Sequence, residues 1–135
     1  MSTKIISKAA IVDDDIVQLM LYERVINRSG LVKEVLKFES AEVALQYLKN
    51  EENERIDVLF LDINMPRMDG FEFLEAATSS IGSDFIDCVV IMLTTSLDPL
   101  DRKRAEEFKV VKSFLSKPLT EEALQDVAEM IDPIN

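Results

Sequence analysis

Four short apolar runs in this chain are followed by polar side chains that could do chemistry. Residues 9–12 lead into Asp13-Asp14-Asp15, residues 58–61 into Asp62, residues 89–93 into Thr94-Thr95, and residues 110–115, after Ser116, into Lys117-Pro118. Brought together, Asp13, Asp14 and Asp62 would crowd three carboxylates into one crevice, where their repulsion is strong at low local dielectric. Left uncompensated, at least one of them would keep its proton. A divalent cation with oxygen ligands resolves the conflict, and Mg2+ suits such a site because it needs few carboxylates and keeps several waters. Lys117 adds a positive charge and Thr94 a hydroxyl. That set is suited to holding a phosphoryl group, with Asp62 supplying the attacking oxygen.

For these residues to meet, the runs that precede them must lie side by side. Each run is about the length of a buried strand. A further segment, residues 32–38, is interrupted by charges and reads as an edge strand. Between them lie longer stretches with helical character at residues 16–27, 41–49, 70–78, 100–108 and 121–130. Ser40 and Thr120 stand where N-caps are wanted, although Ser40-Ala41-Glu42-Val43 lacks the acid or amide of a full capping box. Five strands alternating with five helices predict an α/β fold with a parallel sheet covered on both faces. Right-handed crossovers then give a flavodoxin-like, doubly wound, five-stranded sheet of order 2-1-3-4-5, in which ligands bind at the carboxyl ends of the strands.

Composition narrows the function further. The chain has 135 residues, 47% of them hydrophobic, enough for one core and no second domain. Its net charge of −11 opposes binding to nucleic acid, whose phosphates would be repelled. The absence of histidine removes Ser-His-Asp and Cys-His catalysis and His-ligated zinc. A single cysteine, Cys88, allows no internal disulfide and reads as a small buried hydrophobe. With no membrane-length apolar run and no export signal at the start, a cytoplasmic location is expected.

Residues 61–70 read Leu-Asp-Ile-Asn-Met-Pro-Arg-Met-Asp-Gly. With the acidic pair, Thr94 and Lys117-Pro118 in this order and spacing, the chain resembles the receiver domain of two-component response regulators over essentially its whole length. The resemblance implies that Asp62 accepts a phosphoryl group from the phosphohistidine of a sensor histidine kinase or a histidine phosphotransfer protein. It implies Mg2+ (or Mn2+) held by Asp14 directly, by Asp13 through water, by Asp62 and by the backbone carbonyl of Asn64. The Thr94 hydroxyl and the Lys117 ammonium would bind phosphoryl oxygens, and Phe114 would turn inward as Thr94 moves to the phosphate. The Lys117-Pro118 bond would be cis, a form that costs proline only ~0.5–1 kcal/mol. By the same resemblance Asn64 and Ser96 tune attack by water, and as neither is bulky a short-lived phosphoryl group is expected.

The expected protein is then one receiver domain over residues 1–135 with no output domain. Its chemistry is self-directed phosphotransfer and autodephosphorylation rather than turnover of a metabolite. Its output would be altered binding to a downstream protein or onward phosphorelay, as a monomer or weak dimer, with no nucleic-acid or membrane partner. A haloacid-dehalogenase-type phosphatase would want a second acid where Asn64 stands, and a cap domain. A phosphorylation-independent pseudo-receiver would not need the complete acceptor set, and a flavodoxin would need a Ser/Thr/Gly-rich phosphate loop.

Other polar features have simpler readings. Asp15 is assigned to capping the first helix, and Asp69-Gly70 to turn chemistry. Met65 and Met68 are assigned to packing. The first helix is apolar around most of its circumference, so either it is deeply buried or Leu19 or Met20 is an exposed contact for a docking helix. The basic run Arg102-Lys103-Arg104 is either a solvated helix surface or part of a signalling face.

Overall fold

The computed structural model describes residues 5–50, 52–81, 89–95 and 98–130. Its elements alternate without exception: β1 (Ile6–Val12), α1 (Ile16–Ser29), β2 (Val32–Phe38), α2 (Ala41–Lys49), β3 (Val58–Asp62), α3 (Gly70–Ile81), β4 (Val89–Thr94), α4 (Pro99–Ala105), β5 (Val111–Ser116) and α5 (Glu121–Met130). The strands form one sheet of order β2-β1-β3-β4-β5, every neighbouring pair parallel, as predicted. The register shifts once, between Val90 and Ile91 opposite β5.

Strand alternation divides the core into two layers. Leu59 and Leu61 of β3 join Ala10, Val12, Val90 and Met92 against α2, α3 and α4. Val58 and Phe60 join Ala9, Ile11, Ile91 and Leu93 against α1 and α5. The charged edge strand β2 is only half buried, which accounts for its broken apolar pattern.

Helix boundaries follow from local chemistry. Asp15 caps α1 by accepting from the backbone N–H groups of Val17 and Gln18, and Gly30, at φ 70°, ends it in the left-handed conformation that glycine adopts without penalty. Ser40 caps α2 and Thr120 caps α5, as expected. At the start of α3 the Asp69 carboxylate accepts from Glu72 N–H at 2.8 Å while the Glu72 carboxylate accepts from Asp69 N–H at 2.9 Å. This is a reciprocal capping box, built on the Asp-x-x-Glu spacing of residues 69–72.

Several boundaries differ from expectation. β1 begins at Ile6 rather than residue 9, because Lys8 is buried within the strand and its ammonium leaves the sheet to meet Glu54 at 2.6 Å and Glu34 at 3.5 Å. α1 and α3 each run past their expected ends, to Ser29 and Ile81. α4 starts at Pro99 and stops at Ala105, not residue 108, since Glu107 and Phe108 close tight three-residue turns onto Arg104 and Ala105. β5 is displaced by one residue, to Val111–Ser116. Cys88 and the tail at residues 131–135 lie outside the described residues.

Candidate functional site

β3 ends on Asp62 and β4 on Thr94, while Asp13 directly follows β1 and Lys117 directly follows β5. All four therefore lie at the carboxyl edge of the sheet, around the place where strand order reverses. Backbone bonds tie these ends together: Asp13 N–H donates to the Phe38 carbonyl at 3.1 Å, and Lys117 N–H to the Thr94 carbonyl at 2.9 Å. The Lys117-Pro118 peptide is cis.

The carboxylates converge. One oxygen each from Asp13, Asp14 and Asp62 lies within 4.8 Å of the others. Asp13 and Asp62 are buried at 1% and 5% exposure, whereas Asp14 faces solvent. The Lys117 ammonium spans the two buried acids, 3.2 Å from Asp13 and 2.9 Å from Asp62. Asp13 also accepts from Asp15 N–H at 2.9 Å, which fixes its carboxylate toward the crevice.

Burial pushes the Asp62 carboxyl up to about 6, with Lys117 opposing and Asp13 and Asp14 adding to the rise. Burial would lower the Lys117 ammonium, but the Asp62 and Asp13 carboxylates hold it above the ordinary lysine range. Three carboxylates against one ammonium leave a formal excess of two negative charges, which is the charge of a divalent cation. The donor set is all oxygen, with Asp14 open to solvent on one side. It fits a hard divalent metal, although carboxylates alone do not choose among such metals.

The loop after β3 brings the carboxyl end of that strand close to α3. A Cβ on Gly70 would lie 2.7 Å from the Asp62 carbonyl oxygen and 3.1 Å from the Ile63 Cα, both backbone atoms. Gly70 N–H in turn donates to the Ile63 carbonyl at 2.8 Å. Only glycine permits that approach. Arg67 in the same loop has φ 68°, and its guanidinium meets Glu42 at 3.2 Å. Asn64 is exposed in this loop, and Met65 and Met68 pack against the core as expected.

The remaining candidates are placed as follows. Thr94 is fully buried. Phe114 is half buried on the α4 side of the sheet; Arg102 lies over its ring at 5.0 Å and donates to its carbonyl oxygen at 3.4 Å. Arg104 lies 4.4 Å over the Phe71 ring. The basic run is exposed, and two of its members rest on aromatic faces. On α1 the alternatives divide: Leu19 is 3% exposed and Met20 54%. Ile16, Val17 and Leu21 are exposed beside Met20. Ser96 lies outside the described residues. Tyr22, at i, i+3, i+7 spacing with Leu19 and Ile26, is buried with them on the sheet-facing side of α1.

Comparison with known proteins agrees with this geometry. The family model described as "Response regulator receiver domain" matches residues 9–129. The chain is 31% identical over 124 residues to the "Probable methanogenesis regulatory protein FilR2" of Methanothrix harundinacea, covering 90% of this chain and 78% of that protein. It is 32% identical over 124 residues to "Two-component response regulator ARR2" of Arabidopsis thaliana, covering 89% of this chain but only 17% of that much longer protein. Among solved structures, a two-component response regulator from Cytophaga hutchinsonii superposes with a TM-score of 0.84 at 26% identity, covering 93% of this chain and 96% of that one. Chemotaxis protein CheY4 of Vibrio cholerae superposes at 0.75 and 28% identity, covering 94% and 99%. Matches this complete, on a sheet whose reversal point gathers three aspartates and a lysine, show that the chain belongs to the response regulator receiver domain family of two-component signalling.

Proposed function

We propose that Asp62 is the phosphoacceptor of this receiver domain and that its donor is the phosphohistidine of a sensor histidine kinase or a histidine phosphotransfer protein. The observation that carries this reading is the Lys117 ammonium held between Asp13 and Asp62 at the meeting point of three carboxylates. An Asp62 carboxylate oxygen attacks phosphorus, the phosphorus–nitrogen bond of the donor breaks, and the imidazole leaves with the electron pair and takes up a proton. The Asp62 side chain becomes an acyl phosphate. Lys117, released from a carboxylate whose charge is now shared with the phosphoryl group, pairs with a phosphoryl oxygen, and the Thr94 hydroxyl binds another.

Asp13, Asp14, Asp62 and the Asn64 carbonyl would hold Mg2+, with Mn2+ able to substitute. When bound, the cation offsets negative charge on the transferring phosphoryl oxygens. Phe114 is the element that reads the new state, turning inward as Thr94 moves; the output is a changed protein–protein contact or onward phosphorelay. The exposed apolar face of α1 suits a donor helix docking beside the acceptor. Among the described residues no helix is long and apolar enough to cross a membrane, and a cytoplasmic role as a monomer or weak dimer is proposed.

The test is labelling with phosphoramidate or acetyl phosphate in the presence of Mg2+. One phosphoryl group should appear, mapped to Asp62; EDTA should prevent it, and Asp62→Asn should abolish it with the fold intact. Labelling that survives in Asp62→Asn, or none at all in the wild-type chain with Mg2+, would rule the reading out.

A further inference from the structure

α4 sinks little of itself into the core: Ala105 is buried, while Leu100 is 70% exposed. Two arginines supply further attachments. Arg104 reaches α3, where it lies 4.4 Å over the Phe71 ring and 3.7 Å from Glu75. Arg102 reaches β5 and makes both of its contacts with Phe114. The guanidinium stands 5.0 Å over the ring, and one of its nitrogens donates a long hydrogen bond, 3.4 Å, to the Phe114 carbonyl.

Phe114 stands in line with the acceptor crevice. It pairs with Met92 across β4 and β5, and the next pair on the same face is Thr94 with Ser116. Thr94 is fully buried, and the half-buried Phe114 packs on the core layer that holds Met92. A movement of the Thr94 side chain therefore changes the space one strand repeat ahead of the ring. The two contacts of Arg102 respond differently to that change. The carbonyl belongs to the strand backbone and stays where the sheet holds it, whereas the ring turns about its own side-chain bonds. A guanidinium anchored on the carbonyl keeps its place when the ring turns away, and forfeits the attraction of the ring face for a cation. A contact made in one arrangement alone biases the equilibrium toward that arrangement.

We propose that Arg102 is a latch on Phe114, holding the ring in its resting place beside α4 until Thr94 moves to the phosphoryl group. The inference rests on the reading of Asp62 as phosphoacceptor and of Phe114 as the element that responds to it. The latch opposes the inward turn of the ring, so part of the interaction with the phosphoryl group is spent on releasing it. How readily the chain responds is then set in part by a side chain of α4, outside the crevice where the chemistry occurs.

Beryllofluoride with Mg2+ tests this, since it binds a carboxylate oxygen as a tetrahedral stand-in for the acyl phosphate. Arg102→Gln removes the charge and keeps an amide donor for the carbonyl. With the latch gone and the resting form predominant, the half-saturating beryllofluoride concentration, read by fluorine NMR, should fall about two- to fivefold, the span of one exposed cation–π contact. The sign separates the latch from plain electrostatics, because taking a positive charge from a chain of net charge −11 by itself weakens the binding of an anion. Lys103→Gln removes the same charge one residue along and should not tighten binding. In a Phe114→Leu background, Arg102→Gln should lose its tightening effect. Unchanged or weaker binding in Arg102→Gln, equal tightening in Lys103→Gln, or tightening that persists without the ring overturns the latch and leaves the acceptor reading standing. A wild-type chain that binds no beryllofluoride would bring down the acceptor reading, and the latch with it.

Discussion

Asp62 stands between burial, which disfavours its charge, and Lys117, which favours it, and the balance leaves its carboxyl at about 6 rather than 3.8. A carboxyl raised in the folded state binds its proton more tightly there than in the unfolded chain. Its contribution to stability is therefore complete below about pH 3.8 and is lost as pH rises through about 6. At neutral pH the ionised side chain costs the metal-free fold about 1–3 kcal/mol. Asp62→Asn should raise the unfolding midpoint in EDTA at about pH 7.5 and flatten the decline between about pH 4 and 6; thermal melts across that range check it, and parallel curves would contradict it. Lys117→Ala should have the opposite sign. It leaves Asp13 and Asp62 buried without their counter-charge, a loss of about 2–4 kcal/mol in metal-free protein. Chemical denaturation with and without Mg2+ should show the cation restoring part of it.

At the scale of elements, the placement of α1 and the β3–α3 connection decides what a substitution costs. Leu19→Ala should cost about 2–5 kcal/mol by emptying a site between helix and sheet. Met20→Ala, one residue on, should stay within about 0.5 kcal/mol of wild type. Urea midpoints of the two variants separate a buried helix from one with a free apolar face. Gly70→Ala should cost about 1–3 kcal/mol, because its Cβ meets backbone rather than a yielding side chain. The same variant should slow Asp62 labelling, since the atom displaced is the Asp62 carbonyl oxygen. A variant that lost stability and labelled at the wild-type rate would show the loop to be independent of the acceptor. The α3 capping box adds a smaller increment: Asp69→Ala should lower stability by about 0.5–2 kcal/mol.

For the whole molecule, charge and metal binding act together. A chain of net charge −11 with a cluster of carboxylates at one sheet edge gains stability from any cation that binds only the folded state. Mg2+ at about one hundred times its dissociation constant should add about 2.7 kcal/mol. That gain should shrink as pH falls below about 6, because the cation must displace the proton that Asp62 then carries. Melting curves with Mg2+ or EDTA at about pH 7.5 and pH 5 measure both effects. An Mg2+ shift of equal size at the two pH values would place the metal elsewhere on the acidic surface.

The five strands, their order and the acids at their ends were determined by the sequence alone. Short apolar runs separated by helical stretches admit few right-handed parallel arrangements, and polar residues that close such runs must gather at one edge. Caps such as Asp15 and Ser40 were legible for a similar reason, since their bonds span two or three residues. The tertiary structure decided the rest. Whether Leu19 or Met20 faces the sheet depends on how α1 is rotated, and that is settled by the strands beneath it. Arg102 of α4 finds the Phe114 ring of β5 only once the helix is packed beside that strand. Lys117 comes between Asp62 and Asp13, the latter 104 residues away in the chain. Such contacts are made between elements distant in sequence, and no local periodicity records them.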